Sequence, residues 1–178
     1  DDSDTTIGVC WLTVSAGGFH TCGVTSSGTV KCWGRGHYGQ TTPLDGRFET
    51  VSAGDLHTCA VKEAGTIECR GSGGYGQTTP PDNAFQTVSA GVSHTCGITA
   101  TGTVECWGWD HYGQATPPGG TFETVSAGGS HSCGITTLGT VECWGWDYNG
   151  TATPPSDTFE TVSAGEFHTC GITTAGTV

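Results

Sequence analysis

Eight of the ten cysteines stand in four pairs, ten residues apart: Cys22 and Cys32, Cys59 and Cys69, Cys96 and Cys106, Cys133 and Cys143. A histidine lies two residues before the first member of each pair (His20, His57, His94, His131), and His168 holds the same place before Cys170. Thiols and imidazoles this close in sequence can bridge as disulfides or hold zinc. The residues between the cysteines favour the bridge. A glycine-containing turn (Ser26-Ser27-Gly28, Glu63-Ala64-Gly65, Ala100-Thr101-Gly102, Thr137-Leu138-Gly139) lies midway between two β-branched segments, which predicts an antiparallel hairpin. The register set by that turn places Val24 opposite Val30 and Cys22 opposite Cys32. Directly opposed Cα atoms are about 4.5–5.5 Å apart, within disulfide range. Structural zinc sites favour cysteines separated by only about two to four residues, and no such pair is present. Each bridge closes a short loop and is expected to contribute about 3 kcal/mol or less.

A repeat positions these pairs. The segment 14–34 recurs from Val51, Val88, Val125 and Val162, 37 residues apart each time. Four full repeats (11–47, 48–84, 85–121, 122–158) and a partial fifth (159–178) follow a segment 1–10 outside the pattern, in which Thr5 to Cys10 has the β-branched character of a strand. Each repeat opens on an aromatic residue (Trp11, Phe48, Phe85, Phe122, Phe159) that begins a first strand, aromatic-x-Thr-Val-Ser-Ala, whose alternation slips between Phe48 and Val51. His-Thr-Cys-Gly-Ile-Thr is the second strand and Gly-Thr-Val-Glu-Cys-Trp the third. The glycine after the first strand (Gly17, Gly54, Gly91, Gly128, Gly165) points to a positive φ or a close backbone approach. An irregular, proline-bearing tail ends each unit. Three short strands cannot hold a core alone, so neighbouring units must stack.

Five equivalent histidines point to one structural job, expected to be a hydrogen bond from the imidazole to the backbone of the next unit, rather than to a metal. Trp33, Trp107 and Trp144, each following the second cysteine, are expected to pack between units. Trp109 and Trp146 lie in the irregular tails and are the candidates for a surface that binds a glycan or a protein. No nucleophile–base set, acidic pair or phosphate loop stands outside the repeat. The chain is therefore read as non-enzymatic, with no cofactor and no metal.

Ten cysteines point to an oxidising, extracellular setting. Methionine is absent even at position 1, so the chain is a processed product or a fragment, and a removed signal peptide is the simplest account. Net charge is −12, and all five basic residues (Lys31, Arg35, Arg47, Lys62, Arg70) fall in the first 70 positions. Nucleic acid and anionic lipid are poor partners for such a surface. No apolar run is long enough to span a membrane. Asn149-Gly150-Thr151 is an N-glycosylation acceptor. Thr42, Thr79, Thr116 and Thr153, each followed by proline, suit O-glycosylation.

Cys10 and Cys170 are left over. They can pair within one chain, closing the array, or between chains. Cys10 directly precedes the first repeat, without the connector that other repeats have, which favours the second arrangement: the N-terminal strand of one molecule completes the fifth unit of another. Repeated, that contact builds a filament. The sequence is thus read as a secreted structural protein that assembles head to tail. The alternative is a monomeric extracellular binding module for a protein or glycan.

The repeat resembles the RCC1-like family (regulator of chromosome condensation repeats). The matching residues are Gly17, His20, Thr21, Thr25, Gly28, Val30, Trp33, Gly34, Gly39 and Gln40, and the pattern returns from Gly91 to Gln114. The resemblance covers 11–178 and implies an all-β, β-propeller-like array. Family members usually have about seven blades; some exchange guanine nucleotides on a small GTPase and bind chromatin, and short-repeat secreted relatives include β-lactamase inhibitor proteins. This chain differs in repeat number, in its cysteine pair per repeat and in its acidity, so no exchange-factor residue carries over.

Overall fold

Hairpin chemistry and alternation turn each repeat into an antiparallel sheet. The computed structural model describes residues 10–178; the strand expected over Thr5 to Cys10 lies, except for Cys10 itself, outside them. The strands are β1 (Trp11–Ala16), β2 (His20–Thr25), β3 (Val30–Gly34), β4 (Phe48–Ala53), β5 (His57–Lys62), β6 (Ile67–Gly71), β7 (Phe85–Ala90), β8 (His94–Thr99), β9 (Val104–Gly108), β10 (Phe122–Ala127), β11 (His131–Thr136), β12 (Val141–Gly145), β13 (Phe159–Ala164) and β14 (Thr169–Thr173). They form four three-stranded sheets and a two-stranded one, β13–β14.

The register is the one the turns dictate. Cys22 faces Cys32 and Val24 faces Val30, and the turn closes with Gly28 at φ 79°, a conformation that glycine adopts without penalty. All four disulfides form, with Cα separations of 4.0 to 4.1 Å. The slip near the start of each first strand is real: the pairing shifts between Phe48 and Thr50, and equivalently elsewhere.

The core lies between sheets, not within them. Cys22, Val24 and Val30 of the first sheet pack with Leu44 and with Phe48, Val51 and Ala60. Cys22, Cys59, Cys96 and Cys133 are fully buried, so each disulfide is itself a core element. Trp107 and Trp144 pack on the aromatics that open their own repeats, Phe85 and Phe122, at 5.7 and 6.1 Å, and reach across units, as expected, by donating to the Gln77 and Gln114 carbonyls. Trp33 makes the same contact with Trp11, at 5.6 Å, but stays 48% exposed, because no preceding sheet covers that face among the described residues.

The first strands are clasped to one another. Ser15, Ser52, Ser89 and Ser126 accept hydrogen bonds through Oγ from the amides of Ala53, Ala90, Ala127 and Ala164 in the following sheet, at 2.9 to 3.0 Å. Next to each clasp, Gly18, Asp55, Val92 and Gly129 donate to the carbonyls of Gly54, Gly91, Gly128 and Gly165. The glycine after each first strand serves close approach, not positive φ. A Cβ at Gly17, Gly54, Gly91 or Gly128 would collide with the next glycine's carbonyl. Together with Gly165, these glycines converge around a cavity of about 270 Å³.

A substitution tests the seam. In Gly91→Ala the new methyl meets Gly128 O and the His94 ring, and neither can retreat into solvent. We expect a loss of about 1–3 kcal/mol, read as a lower midpoint in urea. Gly74→Ala, with nothing within 4 Å, should stay within about 0.5 kcal/mol.

Candidate functional site

The histidines reach the next unit through a side chain, which corrects the expectation of a bond to backbone. Nε2 of His20, His57, His94 and His131 lies 2.6 to 2.8 Å from the hydroxyls of Thr58, Thr95, Ser132 and Thr169. Each hydroxyl donates back to a carbonyl of the preceding unit's tail: Gln40, Gln77, Gln114 and Thr151. A hydroxyl has one proton, so with that proton on the carbonyl it must accept from the imidazole. The proton therefore sits on Nε2, and each Nδ1 is left buried without a partner. Trp107 and Trp144 add a second donor to the Gln77 and Gln114 carbonyls, at 2.9 and 3.0 Å. The relay thus returns to the histidine's own repeat, since Gln40 lies in the same unit as His20 and Gln77 in the same unit as His57.

The same glutamines organise a face of the molecule. The side chains of Gln40, Gln77 and Gln114 are buried, and their Oε1 atoms accept from the amides of Tyr38, Tyr75 and Tyr112 at 2.9 to 3.0 Å. Each tyrosine is thereby held outward on a fixed turn. In the third and fourth repeats an aspartate closes the loop as well. Asp110 accepts from the Ala115 amide and the Thr116 hydroxyl, both at 2.7 Å. Asp147 accepts from the Ala152 amide and the Thr153 hydroxyl, and these bonds, Thr153's foremost, lower its carboxyl below the usual range.

On these loops the rings form a belt across repeats two to four. Tyr75 lies 6.1 Å from Trp109, Trp109 lies 5.4 Å from Tyr112, Tyr112 lies 6.0 Å from Trp146, and Trp146 stacks on Tyr148 at 5.3 Å. His111 stacks on Trp109 at 6.0 Å. Tyr75, Tyr112 and Tyr148 are 62%, 45% and 61% exposed, while the two tryptophans are half-buried. Both tryptophans singled out in the sequence are therefore in the belt. Its tyrosines were missed, although Tyr38, Tyr75 and Tyr112 recur at the repeat period. Tyr38 stands apart because Ser72 takes the place that Trp109 and Trp146 hold beside Tyr75 and Tyr112, and Arg35, at the tryptophan position of its own loop, covers Phe19.

The modification candidates are all on the surface. Asn149, Thr42, Thr79, Thr116 and Thr153 are exposed, with the Thr116 and Thr153 hydroxyls committed to aspartates. Cys10 and Cys170 are exposed free thiols, not joined to each other.

Four copies of the family signature described as the Regulator of chromosome condensation (RCC1) repeat match residues 12–40, 48–77, 85–114 and 122–151, and the chain belongs to that family. The comparison with curated proteins returns no match. Among solved structures, the CRINKLY WD40 ectodomain of the Arabidopsis thaliana receptor kinase ACR4 is 30% identical over 99% of this chain, with a TM-score of 0.78. The ectodomain of the Physcomitrella patens receptor kinase CR4 is 28% identical over 94%, with a TM-score of 0.81. The chain spans 65% and 50% of the length of those two structures. Prp20p of Saccharomyces cerevisiae, 15% identical over 92% of this chain and matched over 56% of its own length, shares the fold at a TM-score of 0.80. The array is thus one of RCC1 propeller-like blades, and its disulfides and likeness to receptor ectodomains suggest an extracellular domain.

The buried imidazoles make stability depend on pH. Burial, reinforced by neighbouring histidines, lowers His57 and His94 to about 4, with Asp110 opposing weakly at His94. Burial also lowers His20 and His131, against smaller pulls from Asp55 and Asp147. An unfolded chain takes up these protons near the ordinary value of 6.5. The stabilisation is therefore complete above about pH 6.5 and is lost as the pH falls towards 4. The shift at His57 or His94 is worth roughly 3 kcal/mol. Urea midpoints should drop between pH 7 and pH 4.5, and His94→Gln should flatten part of that dependence.

Proposed function

We propose that this chain is a non-catalytic extracellular binding module whose aromatic belt seats a protein partner. The observation that carries the reading is the Tyr75–Trp109–Tyr112–Trp146 row, held on loops closed by buried glutamines and by aspartates. Tyrosine and tryptophan are the residues that dominate protein-binding energy, and preformed loops lower the entropic cost of ordering them on contact. The rings are tilted or edge-on along most of the row, which makes slots for projecting side chains rather than one flat platform. The net charge of −12 and the absence of Lys and Arg beyond Arg70 favour a neutral or basic partner patch. Cross-linking of the chain to the extracellular proteins of its source, followed by mass spectrometry, should place the cross-links in the loops at 72–80 and 109–118. The double variant Trp109→Ala/Tyr112→Ala should weaken that partner by about 2 kcal/mol or more, roughly 30-fold. Unchanged affinity in the double variant would refute the belt as the site.

A second reading, head-to-tail assembly, is favoured by a different observation. A groove of about 370 Å³ runs beside β14, lined by Cys143, Thr151, Phe159, Thr169 and Cys170 among others. In the three-stranded sheets the third strand supplies the cysteine opposite this position, as Cys143 does for Cys133. An extended segment bearing Cys10 from a second copy would fit the same role. Non-reducing electrophoresis should then show a ladder of covalent multimers that Cys170→Ser abolishes; a single band of monomer mass would rule it out.

A further inference from the structure

The fourth repeat breaks the pattern at two positions that only together make a modification site. Where the first three repeats have Tyr38, Tyr75 and Tyr112, the fourth has Asn149; where they have Gln40, Gln77 and Gln114, it has Thr151. The lock between glutamine and tyrosine amide is lost with them. Instead the Thr151 hydroxyl donates to the Trp146 carbonyl at 2.8 Å. The turn then reforms around Asn149 at φ 58° and Gly150 at φ 80°, and Asn149 is the only non-glycine residue with positive φ among those described. Asparagine tolerates that conformation better than tyrosine would. Its carboxamide is exposed, and Tyr148 beside it caps the Trp146–Tyr148 stack with a 61% exposed ring.

We propose that Asn149 carries an N-linked glycan whose first N-acetylglucosamine lies against the exposed face of Tyr148. In the transfer, Asn149 Nδ2 attacks the anomeric carbon of a lipid-diphosphate-linked oligosaccharide. The carbon–nitrogen bond forms, the bond from that carbon to the diphosphate oxygen breaks, Nδ2 gives up one proton and the lipid diphosphate leaves. The acceptor threonine must be open to the transferring enzyme, yet Thr151 is 9% exposed and its hydroxyl is committed to Trp146. Transfer therefore precedes folding of this loop. Afterwards the apolar C–H face of the sugar meets the electron-rich ring. The glycan then covers the fourth-repeat end of the belt and leaves Tyr75, Trp109 and Tyr112 open.

The test is expression of the chain through a eukaryotic secretory pathway, with intact mass measured before and after peptide-N-glycosidase. One glycan mass should be released from the parent and from Thr151→Ser, and none from Asn149→Gln. A secreted, folded parent chain with Asn149 unmodified overturns the proposal. The stacking has its own readout: the N-acetyl methyl proton should be shifted upfield by ring current in the parent and not in Tyr148→Ala, which should still be glycosylated. An unshifted methyl signal on an occupied Asn149 overturns the contact. Equal rates of transfer in vitro to the folded and to the reduced, unfolded chain would overturn the order of events.

Discussion

The contact on which the rest of the structure depends is the imidazole–hydroxyl–carbonyl relay between neighbouring sheets. It locks a side chain of one repeat between two groups of the previous one, as at His57, Thr95 and Gln77. A buried hydrogen bond contributes only about 1 kcal/mol net, but an orphaned buried polar group costs about 1–3 kcal/mol. The relay thus acts mainly against wrong dockings: a sheet that slid or rotated would leave the imidazole, the hydroxyl and the carbonyl unpaired together. Apolar burial of Cys22, Val24 and Phe48 drives the sheets together without fixing how they meet; the polar contacts fix it. The cost is already visible in the unpartnered Nδ1 atoms, and burial favours the neutral form of these histidines.

The disulfides work on a different level. Each is local to one hairpin and joins strands already adjacent, so it holds the sheet rather than the array. Their first cysteines are nonetheless in the inter-sheet core. The bridge therefore supplies apolar volume in a unit with few large side chains of its own. Small covalently pinned sheets stacked through a narrow glycine seam leave the irregular tails little structural duty beyond the buried glutamine and, in the first repeat, Leu44. Those tails are where the repeats differ. Aspartate at 110 and 147 replaces glycine at 36 and 73, and tryptophan at 109 and 146 replaces Arg35 and Ser72. Every step of the aromatic belt from one repeat to the next passes through one of those two tryptophans.

Much of the fold was legible because it is local and periodic. Turn composition fixed the hairpin register, register fixed the cysteine pairs, and the slip after Phe48 was readable as a break in alternation. The belt was legible in part. Trp109 and Trp146 stood out as large rings in irregular segments, but the tyrosines between them were hidden by their regularity. A residue repeated at the same place in three units looks structural, and nothing in a linear pattern says that its ring points outward.

By itself the sequence determined the unit: three strands, one bridge, one tail, and the need to stack. Tertiary structure alone decided how units meet. That the histidine finds a hydroxyl 38 residues away, that glycine is required by a carbonyl from the next sheet, and that rings from three tails form one row all depend on the angle and offset between sheets. Those quantities follow from packing the Cys–Phe–Val interfaces, a sum over many weak contacts among residues far apart in the chain. Local propensity has no term for that sum, and so the same period that reveals the repeat leaves the geometry between repeats unstated.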